Sequence, residues 1–171
     1  MIIVVEGTKQ SGKTTFINKL KECSVVPVFH FYDRELLKFD LNQADANFAS
    51  CMSYLSAAIE VDRNLEGECF VVFDRFHLTE IVYGEQVRGY KNDKMWIVDQ
   101  KLRACNIFGL LFMSDTAEER TGLKVYKKEF EKAATDSCLK WEYVNLDKSK
   151  GKINPYGMVS ILNHLAEMRY D

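Results

Sequence analysis

The sequence predicts an α/β fold: a five-stranded parallel sheet with helices on both faces. Three observations carry that prediction. Short apolar runs alternate with longer, polar-rich stretches of helical periodicity. Most of the runs are continuously apolar, as in strands buried on both faces. The resulting β, α, β, α order calls for right-handed crossovers between parallel strands.

Taken in order, the first strand is Ile2 to Glu6, and the helix near Lys13 to Glu22 opens directly behind a glycine-rich loop. The second strand, Val25 to Phe31, is followed by a long helical stretch from Ala46 to Glu66. The third strand, Cys69 to Phe73, ends on an acid, and a helix follows near Asp93 to Arg103. The fourth strand is Ile107 to Met113, trailed by a basic helical stretch from Thr116 to Ala134. Strand Glu142 to Leu146 and a helix from Pro155 to Met168 close the chain. In such sheets ligands bind beyond the carboxyl ends of the strands, which directs attention to the residues just after each one.

The 171 residues suit one domain that buries close to ~70% of its unfolded surface. Two prolines and no Gly/Ser stretch offer no linker, so residues 1–171 are read as one unit. With 47% hydrophobic and 28% charged residues the chain is neither disordered nor low in complexity. The 23 basic and 25 acidic side chains give a net charge of -2, which predicts no nucleic-acid or anionic-membrane surface. Any phosphate site must be a local cluster. Cys23, Cys51, Cys69, Cys105 and Cys138 are odd in number and widely spaced, without metal-ligand spacing, and read as reduced thiols of a cytoplasmic protein. The apolar run at Ile2 is too short for a membrane span. His30, His77 and His164 likewise show no metal-ligand spacing and read as structural or surface residues.

Gly7-Thr8-Lys9-Gln10-Ser11-Gly12-Lys13-Thr14 satisfies GxxxxGK(S/T) between a strand and a helix. The glycines let backbone N–H groups turn inward around phosphate oxygens, and the helix presents its positive dipole end. Lys13 can then reach the β- and γ-phosphates of ATP, and Thr14 can ligate magnesium, with Gly7, Gln10, Ser11, Gly12 and Thr15 completing the ATP-binding loop. The fold class sharpens to the P-loop NTPase type, a three-layer sandwich. At the end of the third strand, Asp74 can hold magnesium or its water shell, as a Walker-B Asp does.

Asp74-Arg75-Phe76-His77-Leu78-Thr79-Glu80-Ile81-Val82-Tyr83 resembles the DR(Y/H)xxSxxAYQ segment of thymidylate kinases. Val5-Glu6-Gly7 looks like that family's lead into the loop, and Asp33-Arg34-Glu35 is similar to its TREP segment without the proline. Tyr143 to Asp147 resembles its closing strand. The resemblance implies that Arg34 and Arg75 grip the acceptor phosphate, that Asp74 organises magnesium and acceptor, and that Phe48 stacks on the base. It places Thr79 and Tyr83 at the acceptor. Lys9 stands where the family typically has a carboxylate on the sugar, and Gln10 where some members carry an Arg. The missing charge is then expected from a lid over about 114–136, which holds Arg120, Lys124, Lys127 and Lys128. Arg120 is the catalytic choice there.

The expected activity is ATP-dependent phosphoryl transfer to a deoxynucleotide such as dTMP, in a protein of nucleotide biosynthesis. Arg34, Arg75 and Lys9 favour an anionic acceptor. Asp33 points instead to a hydroxyl acceptor needing a base, either a deoxynucleoside or a hydroxylated base, conceivably in DNA. A third reading is a nucleotide-binding switch without transfer activity, which the absence of an NKxD-like tetrad weakens. The partners expected are small-molecule nucleotides, with no membrane, nucleic acid only under the DNA alternative, and a homodimer compatible with all three.

Overall fold

The computed structural model describes residues 1–32, 43–66, 68–114, 126–145, 159, 162 and 163. Strands β1 (Ile2–Gly7), β2 (Val28–Tyr32), β3 (Phe70–Asp74), β4 (Ile107–Met113) and β5 (Trp141–Asn145) form one sheet in the order β2-β3-β1-β4-β5. Every neighbouring pair is parallel. Between them run α1 (Lys13–Cys23), α2 (Ala44–Asn64), α3 (His77–Tyr83) with a π-helical turn over Gly84–Arg88, α4 (Met95–Leu102) and α5 (Lys127–Asp136). The predicted five-stranded α/β sandwich is the fold observed.

Alternation along the strands divides the core into two layers. Ile3, Val5, Val72 and Phe112 pack with Phe16, Ile17 and Leu20 of α1 and with Val159 and Leu162. Ile2, Val4, Val71, Phe73 and Leu111 face the opposite way, against residues of α2, α3, α4 and α5. Asn163 bonds to the end of α1 and the residues after it, accepting from Val25 N at 3.2 Å and donating to Cys23 O at 2.8 Å.

Two elements depart most from the sequence reading, the other described strands and helices matching it to within two residues at the ends described, apart from the start of α5. β2 starts at Val28 rather than Val25, because Ser24 closes a turn on Val26 O (2.7 Å) and Pro27 offers only its carbonyl to Phe70 N. α3 and its π turn occupy a stretch for which the sequence predicts no helix. In the segment read as a lid, residues 115–125 lie outside the described residues. The remainder is α5, whose Phe130, Ala133 and Ala134 are buried in the core, so that part of the segment is packed structure.

Candidate functional site

The order of the strands puts β1 between β3 and β4, so the loop after β1 and the end of β3 open into the same crevice. Gly7 begins the loop at φ 120, and a Cβ there would stand 1.9 Å from the Phe112 carbonyl oxygen. Only glycine lets β1 leave the sheet this close to β4. Thr8 N donates to the same carbonyl at 3.0 Å, and Gln10 and Gly12 turn the loop in left-handed conformations at φ 55 and 88.

The loop closes around Lys13. Its ammonium donates to Gly7 O (3.1 Å), to Thr8 O and to Ser11 Oγ (3.2 Å), while Ser11 Oγ donates to Thr8 O. Only 5% of Lys13 is exposed. Burial, helped by the nearby Arg75 guanidinium, lowers its pKa to about 7, with Asp74 and Glu6 acting in the opposite sense. A cation held by neutral carbonyls in this way gains most from an arriving anion.

A pocket of about 420 Å³ brings Gln10, Ser11, Gly12, Lys13, Thr14 and Thr15 together with Asp74, Arg75 and Tyr32. Arg75 adopts φ 68, a conformation rare for any residue with a Cβ and often kept at functional positions. Its guanidinium lies 6.0 Å from the centroid of the Tyr83 ring, and Lys9 Nζ lies at the same distance from that ring. Tyr83 itself is buried, set edge-on to Tyr126 and Phe130 with centroids 5.8 Å apart. Burial raises its phenol pKa, and Arg75 partly opposes that. Tyr83 is thus an aromatic floor beneath two cations.

Thr79 is not at the pocket. It is 0% exposed, and its hydroxyl donates to the carboxylate of Glu6, which also accepts from the backbone of Phe76 (2.8 Å), Leu78 (2.9 Å) and Thr79 (3.2 Å). Glu6 therefore caps α3 from another strand, fixing the helix that carries Tyr83 to the strand that carries the loop. Phe48 is half-buried and packs against the core beneath α2. Asp33, Arg34 and Arg120 lie outside the described residues, as does Lys124.

Three residues at the site draw no role from the sequence. Glu6 stands there only as part of the lead into the loop, although a carboxylate ending an apolar strand is an available clue. Tyr32 reaches the pocket as the last residue of β2. His30 Nδ1 lies 2.8 Å from Lys21 Nζ, and its Nε2 lies 3.8 Å from Asp74 Oδ2.

Two solved structures share this architecture over nearly their whole length. YorR from Bacillus subtilis, in complex with phosphorylated GDP, aligns with a TM-score of 0.67 at 16% identity, covering 99% of this chain and 98% of that one. Thymidylate kinase from Ehrlichia chaffeensis aligns with a TM-score of 0.61 at 16% identity, covering 96% and 98%. The chain has their fold. No protein-family model matches the sequence, and no curated protein matches it. Among the described residues there is no cluster of three His, Cys, Asp or Glu fit for a metal, and no helix long and apolar enough to cross a membrane.

Proposed function

We propose that the protein is an ATP-dependent phosphotransferase of the thymidylate-kinase type, passing the γ-phosphoryl group of ATP to a nucleoside monophosphate such as dTMP. The observation that carries this reading is the pocket that joins the phosphate loop to Asp74 and Arg75. Phosphoryl transfer rests on positioning and charge, and an anionic acceptor needs cations rather than a base. Arg75 and Lys9, steadied over Tyr83, supply two of them. Lys13 would exchange the carbonyls of Gly7 and Thr8 for donor phosphate oxygens.

Thr14 and Asp74 line the same pocket, and a hydroxyl with one carboxylate is the sparse protein share magnesium accepts when phosphates and water complete its octahedron. The ion, when bound, neutralises charge on the donor phosphates. In this reading residues 1–171 form one cytoplasmic kinase domain, Arg34 joins Arg75 on the acceptor phosphate, and Arg120 acts from a lid confined to the residues before Lys127.

The test is transfer of labelled γ-phosphate from ATP with magnesium to deoxynucleosides, deoxynucleotides and DNA. A deoxynucleoside monophosphate is expected as the best acceptor, with Arg75→Ala raising its KM by about 30-fold or more, as befits a charge-assisted pair of roughly 2 to 4 kcal/mol. A hydroxyl acceptor whose phosphorylation collapses in Asp33→Asn but survives Arg75→Ala would replace this reading with a deoxynucleoside or hydroxylated-base kinase.

A further inference from the structure

β2 is an edge strand, and its pairing with β3 sets His30 beside Val72 and Tyr32 beside Asp74. Side chains alternate along a strand, so these four lie on one face of the sheet. It is the face of α1, because Val72 packs with Phe16, Ile17 and Leu20. A histidine on this face stands between that helix and the carboxylate at the mouth of the phosphate loop.

His30 is held from three sides. Lys21 Nζ, from the last turn of α1, lies 2.8 Å from Nδ1. The Tyr32 ring stands 5.8 Å away between centroids, tilted by 48°. On the third side Nε2 lies 3.8 Å from Asp74 Oδ2, the ion-pair contact of Asp74 among the described residues. Nε2 is shut away from water and has no hydrogen-bond partner among the described residues. A buried polar nitrogen left in that state is costly, and a closure of roughly 1 Å onto Oδ2 brings it within hydrogen-bond range. Asp74 is only 3% exposed, yet it and Tyr32 line the pocket that holds Lys13 and Thr14. An ammonium has donors only and a carboxylate acceptors only, so both contacts suit a ring that carries its hydrogen on Nε2.

We propose that His30 is a positioning residue for Asp74: its Nε2 hydrogen takes one carboxylate oxygen, Oδ2, and leaves the other for magnesium. The inference rests on the kinase reading above, in which Asp74 and Thr14 are the protein's share of the magnesium site. A ligating carboxylate is oriented by a hydrogen-bonding neighbour, and such bonds are often long until the substrates arrive. Lys21 and Tyr32 fix the ring, so the closing movement falls to the Asp74 side chain.

The test is how far magnesium tightens the binding of ADP, read by calorimetry as the ratio of the Kd in EDTA to the Kd in magnesium. In the wild type this ratio should exceed about tenfold. His30→Leu should cut it by about fivefold or more and lower kcat by about tenfold, while the Kd in EDTA stays within about twofold. A histidine that merely filled the sheet edge would not move the ratio. His30→Gln, whose amide nitrogen carries hydrogens at a similar reach, should restore ratio and kcat to within about threefold of wild type. In an Asp74→Asn background His30→Leu should have no further effect, because the histidine acts through that carboxylate. Lys21→Met, at an exposed position, should lower the ratio by about two- to threefold. Should a thermal melt show that neither histidine variant folds, Lys21→Met decides, and an unchanged ratio would overturn the proposal. A ratio unmoved by His30→Leu, a loss that glutamine does not restore, or one that persists with Asp74→Asn would overturn the positioning role and leave the kinase standing. No tightening by magnesium in the wild type would overturn it too. A wild-type protein that binds ADP with magnesium but transfers phosphate to no acceptor would overturn the kinase reading, and the ratio would still decide for His30.

Discussion

Lys13 and Asp99 are both buried ions with lowered pKa values, and the two shifts mean opposite things. For Asp99, burial alone would raise the pKa. Hydrogen bonds from His77 Nε2 (3.0 Å), Cys138 N (2.8 Å) and Ser137 Oγ (2.6 Å) more than reverse it, so the carboxylate is held charged. For Lys13 burial wins, and the ammonium is held less firmly charged than in water. The bonds to Asp99 more than offset the cost of burying its charge, whereas the three bonds of Lys13, all to neutral oxygens, do not. The first ion fastens α4 to the turn before β5, and the second would gain from an arriving anion.

Substitution at the two positions should separate these roles. The largest effect is expected for Lys13→Ala, which should lower phosphoryl transfer by about 100-fold or more, roughly 3 kcal/mol of barrier, without lowering the melting temperature. Activity within tenfold of wild type would remove Lys13 from the chemistry. Asp99→Asn should behave in reverse, costing about 2 kcal/mol in urea denaturation by leaving buried donors unpaired, with transfer by the folded protein little changed. Because the folded pKa of Asp99 lies below the unfolded one, its contribution is present above the unfolded value of about 4 and is lost as pH falls through the folded value. Wild type should therefore lose stability in that acid range, and the Asp99→Asn variant should lose less of it.

Lys13 acts in a different window and through its neutral form. Its folded pKa of about 7 lies below the unfolded 10.5, so the unfolded chain binds more protons between these values. Stability should rise with pH across that window, as the cost of burying the ammonium is relieved. ATP, by supplying negative charge, should draw a proton onto Lys13. Calorimetry at pH 8 in buffers of different ionisation enthalpy should show net proton uptake approaching about one per ATP bound. Uptake that persists unchanged in Lys13→Ala would assign the proton elsewhere. The smallest effect is expected for Thr79→Val, about 1 kcal/mol of stability from the lost bond to Glu6. A rise in acceptor KM of more than about tenfold would place the Thr79 hydroxyl at the acceptor after all.

The sheet is legible in the sequence because β1, β3 and β4 are nearly uniform apolar runs, and the phosphate loop because its chemistry demands adjacent residues. α3 is not legible, since His77–Tyr83 is too short to show a helical period. The resemblance that singles out Thr79 draws it into the acceptor site, while the fold spends its hydroxyl on Glu6, a partner 73 residues away. A polar network of Asn47, Glu80, Arg88 and Tyr90 spans two helices and a π turn, and no local pattern announces bonds of that reach. Buried polar pairing is fixed by tertiary packing, which periodicity does not encode.

The left-handed backbone at Arg75 sets stability against use. Glycine alone occupies φ 68 without strain, so Arg75→Gly should relax the junction of β3 and α3 by about 1 kcal/mol while deleting the guanidinium over Tyr83. Directed evolution that rewards heat resistance alone would be drawn toward that exchange, and the variants it enriched would be sturdier proteins with an emptied pocket. If Arg75 holds the acceptor as proposed, thermostabilisation of this chain has to keep position 75 fixed and seek its gains elsewhere.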